Sequence, residues 1–142
     1  MRRIKVTDNF YLDEFVHPEI YKEFGERSRL FIRPELFKIA QAVRNQFGPV
    51  MINTWYSGGD FEESGLRLPN TKTGAKYSMH KFGCAIDLHP YAHPFVIRAY
   101  VEKNYKEIFK PLGLTRMEAE TKTWVHLDVG NTGSDELVIF NP

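Results

Sequence analysis

Ser78-Met79-His80-Lys81-Phe82-Gly83-Cys84-Ala85-Ile86-Asp87 is the stretch on which the reading of this chain turns. From Gly83 to Leu88 it has the apolar run of a core strand, which Pro90 ends. His80 precedes that strand and Asp87 lies within it, so the two converge only if the chain bends between them. Gly83 permits the bend. Downstream, Trp124-Val125-His126-Leu127-Asp128 alternates as a second strand. Trp124, His126 and Asp128 share one face, and Val125 and Leu127 share the other. Two imidazoles and one carboxylate, His80, His126 and Asp87, make a ligand set for one divalent ion. That set suits zinc, and three protein ligands leave a fourth position open, the mark of a catalytic site. The competing reading is plainer: a strand histidine is most often structural, and Asp87 can simply cap a turn.

Outward from these segments the chain reads as α+β. Asn9–Phe15 is expected to form a short helix capped by Asn9 or Asp13, and residues 17–33 a loop with one helical turn. Pro34 opens the clearest helix, with Leu36, Phe37, Ile39, Ala40, Val43 and Phe47 at helical spacing and Gly48-Pro49 as its stop. Val50–Tyr56 reads as a strand. Residues 57–79 form a long polar loop, and loops of that length inside a compact domain are usually functional. A second helix is expected over 94–109, with Phe95, Val96, Ala99, Tyr100 and Ile108 facing inward. Residues 114–120, 123–129 and 137–140 complete the strands. The order predicts a small, mostly antiparallel sheet with helices packed on one face.

Length and composition narrow the rest. The 142 residues fit a single domain spanning 1–142. A net charge of +1 with no basic stripe argues against nucleic acid as partner or substrate. The single cysteine, Cys84, excludes an intrachain disulfide and sits in an apolar run as a small hydrophobe. No apolar run approaches the length that spans a bilayer, and Met1–Asp8 has no signal-peptide core. The chain is therefore expected to be made in the cytoplasm without membrane insertion. A substrate outside the membrane would have to be reached through another agent.

The pattern Ser78-x-His80-x-x-Gly83-x-Ala85-x-Asp87, followed by Trp124-Val125-His126-x-Asp128, resembles the zinc D-Ala-D-Ala carboxypeptidase family. Relatives of that family include VanX-type dipeptidases, phage peptidoglycan endopeptidases and the hedgehog signalling domain. Asn9-Phe10-x-Leu12-x-Glu14-Phe15 and Ile52–Tyr56 also sit where such proteins carry similar stretches. The resemblance implies a hedgehog/DD-peptidase-like fold and one zinc ion held by His80, Asp87 and His126. It implies a peptidase acting on the stem peptide of peptidoglycan, carried by a phage particle or released by a holin. Zinc lowers the pKa of a bound water to about 7, which supplies a nucleophile near neutrality.

A carboxylate must still move the proton. The family commonly has an acidic residue three positions before the last histidine ligand, where this chain has Thr123. The nearest carboxylates are Glu118, Glu120 and Asp128. Glu120 stands six before His126, the spacing of hedgehog-like members, and ranks first as base. Asp128 ranks second, unless it orients His126 instead. The family's arginine after the Tyr56 position is missing. Arg67 is the nearest substitute to hold a substrate carboxylate or the developing oxyanion, or it is a surface residue without a role. Ser78 either bonds near the metal or substrate or orders the loop, and Trp124 is a candidate substrate contact on the His126 face. His89 and His93 are expected in a polar turn, and His17 receives no role. A zinc-binding recognition module without catalysis is the alternative function, with Thr123 as its best support.

Overall fold

The computed structural model describes residues 2–141. Met1 and Pro142, the ends of the expected 1–142 domain, lie outside the described residues. Three α-helices, α1 (Pro18–Phe24), α2 (Glu35–Phe47) and α3 (Pro94–Lys103), accompany five strands. The strands are β1 (Val50–Met51), β2 (Ala85–Pro90), β3 (Arg116–Glu118), β4 (Val125–Asp128) and β5 (Val138–Phe140). They form one sheet in the order β1-β2-β4-β3-β5. Three pairings are antiparallel; β5 runs parallel to β3 because the chain leaves β4 and crosses to the far edge of β3. The class is α+β, as expected, and the sheet is mixed.

Alternation divides the sheet into two chemistries. Ile86 and Leu88 on β2, Met117 on β3, and Val125 and Leu127 on β4 are all buried in one hydrophobic cluster. Leu36, Phe37, Ile39, Ala40 and Val43 of α2 and Ile97 and Val101 of α3 belong to the same cluster. The opposite face carries Asp87, His126, Asp128, Arg116 and Glu118. Burying a Leu, Ile or Phe contributes roughly 1.5–3 kcal/mol each, so the apolar face fixes the register that aligns the polar one. No helix among the described residues is long and apolar enough to cross a membrane.

Several local expectations are corrected. The first helix is a 3-10 turn, Leu12–Phe15, and neither Asn9 nor Asp13 caps it. Glu14 does so, its Oε2 accepting from Tyr11 N–H at 2.8 Å. Asp13 instead pairs with Arg3 at 2.7 Å, and Asn9 bonds Gln41. Residues 17–33 are mostly helical, with α1 followed by a 3-10 segment, Gly25–Phe31. His17 has a role there: its Nδ1 caps α1 by accepting from Glu19 N–H.

Strand β1 stops after two residues. Asn53 N–H donates to Glu14 O, and Thr54 and Trp55 N–H both reach Phe61 O, which turns the chain into a 3-10 segment. The helix expected over 94–109 is α3 plus a π turn, Tyr105–Phe109. Its buried face is Ile97, Val101, Tyr105 and Phe109, whereas Phe95 and Val96 are 67% and 50% exposed. The His93 cap and Pro94 set the phase that turns the β-branched pair Ile97 and Val101 inward. The π turn's wider winding then keeps Tyr105 and Phe109 on that face.

Candidate metal centre

The antiparallel register sets Asp87 of β2 directly opposite His126 of β4. Residues paired this way project from the same face at close range. His80 arrives from outside the sheet on a single 3-10 turn, Met79–Phe82, capped by Ser78, whose Oγ accepts from His80 N–H. Gly83 ends that turn with φ +70°, and a Cβ there would meet Phe31 O at 1.8 Å. Only glycine allows so tight a passage from the His80 turn into β2.

The three ligand atoms form a small triangle. His126 Nδ1 lies 3.0 Å from Asp87 Oδ1, and His80 Nε2 lies 3.2 Å from each of the other two. A tetrahedral ion with ligands near 2.1 Å requires about 3.4 Å between them. The triangle therefore fits such an ion with little adjustment, and these residues lie close enough to bind a metal.

The remaining ring nitrogens point away and fix the tautomers. His80 Nδ1–H donates to Gly65 O at 2.9 Å, and His126 Nε2–H donates to Asp128 Oδ2 at 2.8 Å. Both lone pairs are thereby aimed into the triangle, the arrangement that histidine ligands need. Asp128 is fully buried, and its Oδ1 accepts from Gly130 N–H.

Electrostatics match this geometry. Burial opposes ionisation of Asp87, but hydrogen bonds from His126 and His80 outweigh it and hold the carboxyl below its usual range. Burial likewise opposes charge on His126, yet Asp128 and Asp87 lift it to about 9.

The triangle forms one wall of a cleft of about 420 Å³. Arg67, Ser78, Trp124, Arg116, Glu118 and Phe140 also line it. Arg67 is buried, so the surface reading of it falls. Its Nε donates to Glu63 O, Nη1 to Thr73 O and Nη2 to Asp87 Oδ2. Burial pulls its pKa down, against the pull of Asp87, Glu63 and Glu118. Past Arg67 and Trp124 the cleft continues into a hollow of about 510 Å³ lined by residues 60–64 and His89.

Glu120 is exposed and does not line the cleft, because β3 ends at Glu118 and the face alternation ends with it. Glu118 lines the cleft in its place, alongside Asp87 and Asp128. Met117 pairs with Leu127, so Glu118 comes level with His126 one step on. Its carboxylate has no hydrogen bond or ion pair among the described residues. Asp128 is committed to His126 and lies 3.3 Å from Arg116. Thr123 lines the adjoining hollow. Cys84 is outside the ligand set, and burial pushes its thiol up. His89 stacks on Phe61 at 3.8 Å and bonds Ser64, while His93 caps α3. Sequence reading overlooked Arg116 and Phe140. The alternation of Arg116 and Glu118 around apolar Met117 was the available signal.

Comparison with known proteins found no matching family model, no matching curated protein and no matching solved structure.

Proposed function

We propose that this chain is a zinc-dependent peptidase that hydrolyses a bond in the peptide part of bacterial peptidoglycan. The observation that carries the reading is the buried triangle of His80, Asp87 and His126 opening onto a cleft that also holds an unengaged carboxylate, Glu118. The donor set, two imidazoles and one carboxylate, favours zinc over harder ions. When bound, a divalent ion supplies Lewis acidity and acidifies a water. The motif resemblance supplies the substrate class.

The chain's own residues divide the remaining work. Glu118, rather than Glu120, takes the proton from the attacking water and delivers it to the leaving amine. Arg67 holds Asp87 in place. Two of the five guanidinium N–H groups of an arginine remain after the three contacts of Arg67, and in this reading they serve the developing oxyanion. Asp128 fixes the orientation of His126. Trp124, between cleft and hollow, walls the path of an extended peptide.

The test is digestion of purified peptidoglycan by the zinc-loaded protein, with fragments read by mass spectrometry. Glu118→Gln should keep zinc and lose hydrolysis by a factor of roughly 10² or more. Glu120→Gln should remain active. A parent protein that binds zinc and cleaves no wall peptide would turn the reading toward the recognition module. Retained activity in Glu118→Gln would overturn the assignment of the base.

A further inference from the structure

The sheet carries its polar residues in rows, and the row beyond His126 ends in a cation. Arg116 of β3 pairs in register with Asp128 of β4 and lies on the cleft face. Its guanidinium carbon sits 4.0 Å from the centre of the Phe140 ring, and Phe140 meets His126 edge-on at 5.6 Å. Arg116 Nε forms an ion pair with Asp128 Oδ1 at 3.3 Å but outside hydrogen-bond geometry, and it is buried without a hydrogen-bond partner. No group among the described residues accepts a hydrogen bond from this guanidinium. The side chain keeps 28% of its surface open. Stacking on an aromatic face pre-orients the fork while leaving its N–H edges free.

Charge along the cleft is graded. Beyond Asp87, the adjoining hollow is lined by Asp60, Glu62 and Glu63. Beyond His126 stands Arg116. A divalent ion with Arg67 and Arg116, set against Asp87, Glu118 and Asp128, leaves one positive charge in the cleft itself. An anionic group is therefore accepted at the Arg116 end and repelled at the other.

We infer that Arg116 is a specificity-determining residue that binds a free carboxylate of the substrate, at the C-terminal side of the bond that is cut. The inference deepens the peptidase reading and rests on it. It directs the cleft toward peptides that end shortly after the scissile bond. A planar, always-charged fork suits the two oxygens of a carboxylate.

The test compares two probes, N-acetyl-D-Ala-D-Ala with a free C-terminal carboxylate and the same peptide with a C-terminal amide. Affinity for the zinc-loaded full chain is read as KM where hydrolysis occurs and by calorimetry where it does not. The parent should favour the carboxylate by roughly tenfold or more. Arg116→Gln should abolish that preference with amide affinity and zinc content unchanged. Arg116→Lys, which keeps the charge, should retain part of the preference, and it decides the matter if Arg116→Gln does not fold. Equal affinity of the parent for both probes, or failure to bind either, would overturn the inference. So would an Arg116→Gln variant that weakens both probes alike and loses zinc, since Arg116 would then act only through Asp128 and His126. Hydrolysis and affinity are separate readouts. A preference for the carboxylate without cleavage defeats the peptidase reading and leaves the Arg116 assignment standing.

Discussion

Asp128 divides its oxygens between His126 Nε2 and the Gly130 N–H, and that division makes it a positioning residue rather than a base. Removing such a partner costs metal affinity without removing a ligand. Asp128→Asn should weaken zinc binding by about 10- to 100-fold in a chelator competition assay. His80→Ala, Asp87→Asn or His126→Ala should each abolish stoichiometric binding. The raised pKa of His126 adds a proton signature. Its folded value of about 9 lies above the ordinary 6.5, so in the metal-free protein it contributes stability that is fully present below pH 6.5. That stability is lost as pH rises through 9. Metal must displace this proton. Calorimetry in buffers of different ionisation enthalpy should show release of about one proton per zinc at pH 7, falling toward none at pH 10. Release that does not change with pH would contradict the raised pKa of His126.

At the scale of elements, the Gly83 turn and the cap of the first 3-10 segment can each be tested by one substitution. Gly83→Ala pushes a Cβ into Phe31 O at a positive φ. It should lower stability by about 2 kcal/mol or more in denaturant unfolding and loosen His80. Glu14 offers a cleaner test of the N-terminal segment. Burial lifts its carboxyl to about 7, against the Tyr11 N–H bond that favours the charge. A carboxyl raised in this way prefers its neutral form in the fold. Stability is therefore greatest below about pH 4.5 and falls as pH rises toward 7. Glu14→Gln keeps an acceptor for Tyr11 N–H and removes the charge. It should stabilise the protein at pH 8 by about 1–2 kcal/mol after screening is discounted, and change little at pH 4.

The elements also show what the sequence could and could not disclose. Alternation in Val125–Asp128 is a local property, so the burial of Val125 and Leu127 and the shared face of His126 and Asp128 were legible. So was α2, where apolar spacing and the Gly48 stop agree. The end of β1 was hidden, because Asn53 N–H bonds Glu14 O far back along the chain, and the turn that brings Phe61 O to Thr54 and Trp55 has no period of its own. The face of α3 was misjudged for a different reason: consecutive apolar residues, Phe95 to Ile97, allow two phases, and the His93 cap with Pro94 selects the one that buries Ile97. Glu120 was misplaced by extending β3 two residues too far. Parity placed Glu120 on the metal side of a strand that had already ended at Glu118.

At the scale of the whole molecule, the hydrophobic cluster lies on one side of the sheet and the candidate metal site on the other, and β2 and β4 serve both. An ion bound only by the folded state must therefore stabilise the entire fold. Zinc at a thousand times its dissociation constant adds about 4 kcal/mol, which for a chain of this size raises the melting temperature by roughly 10–20 °C. Scanning calorimetry with and without chelator reads this directly. The same shift should vanish in His126→Ala. The most direct measurement of the central claim is an anomalous-scattering map of zinc-soaked crystals at the zinc edge. A single peak about 2.0–2.2 Å from His80 Nε2, Asp87 Oδ1 and His126 Nδ1 together is the result expected. A map with no peak at that point, from crystals whose zinc binds elsewhere, would contradict it.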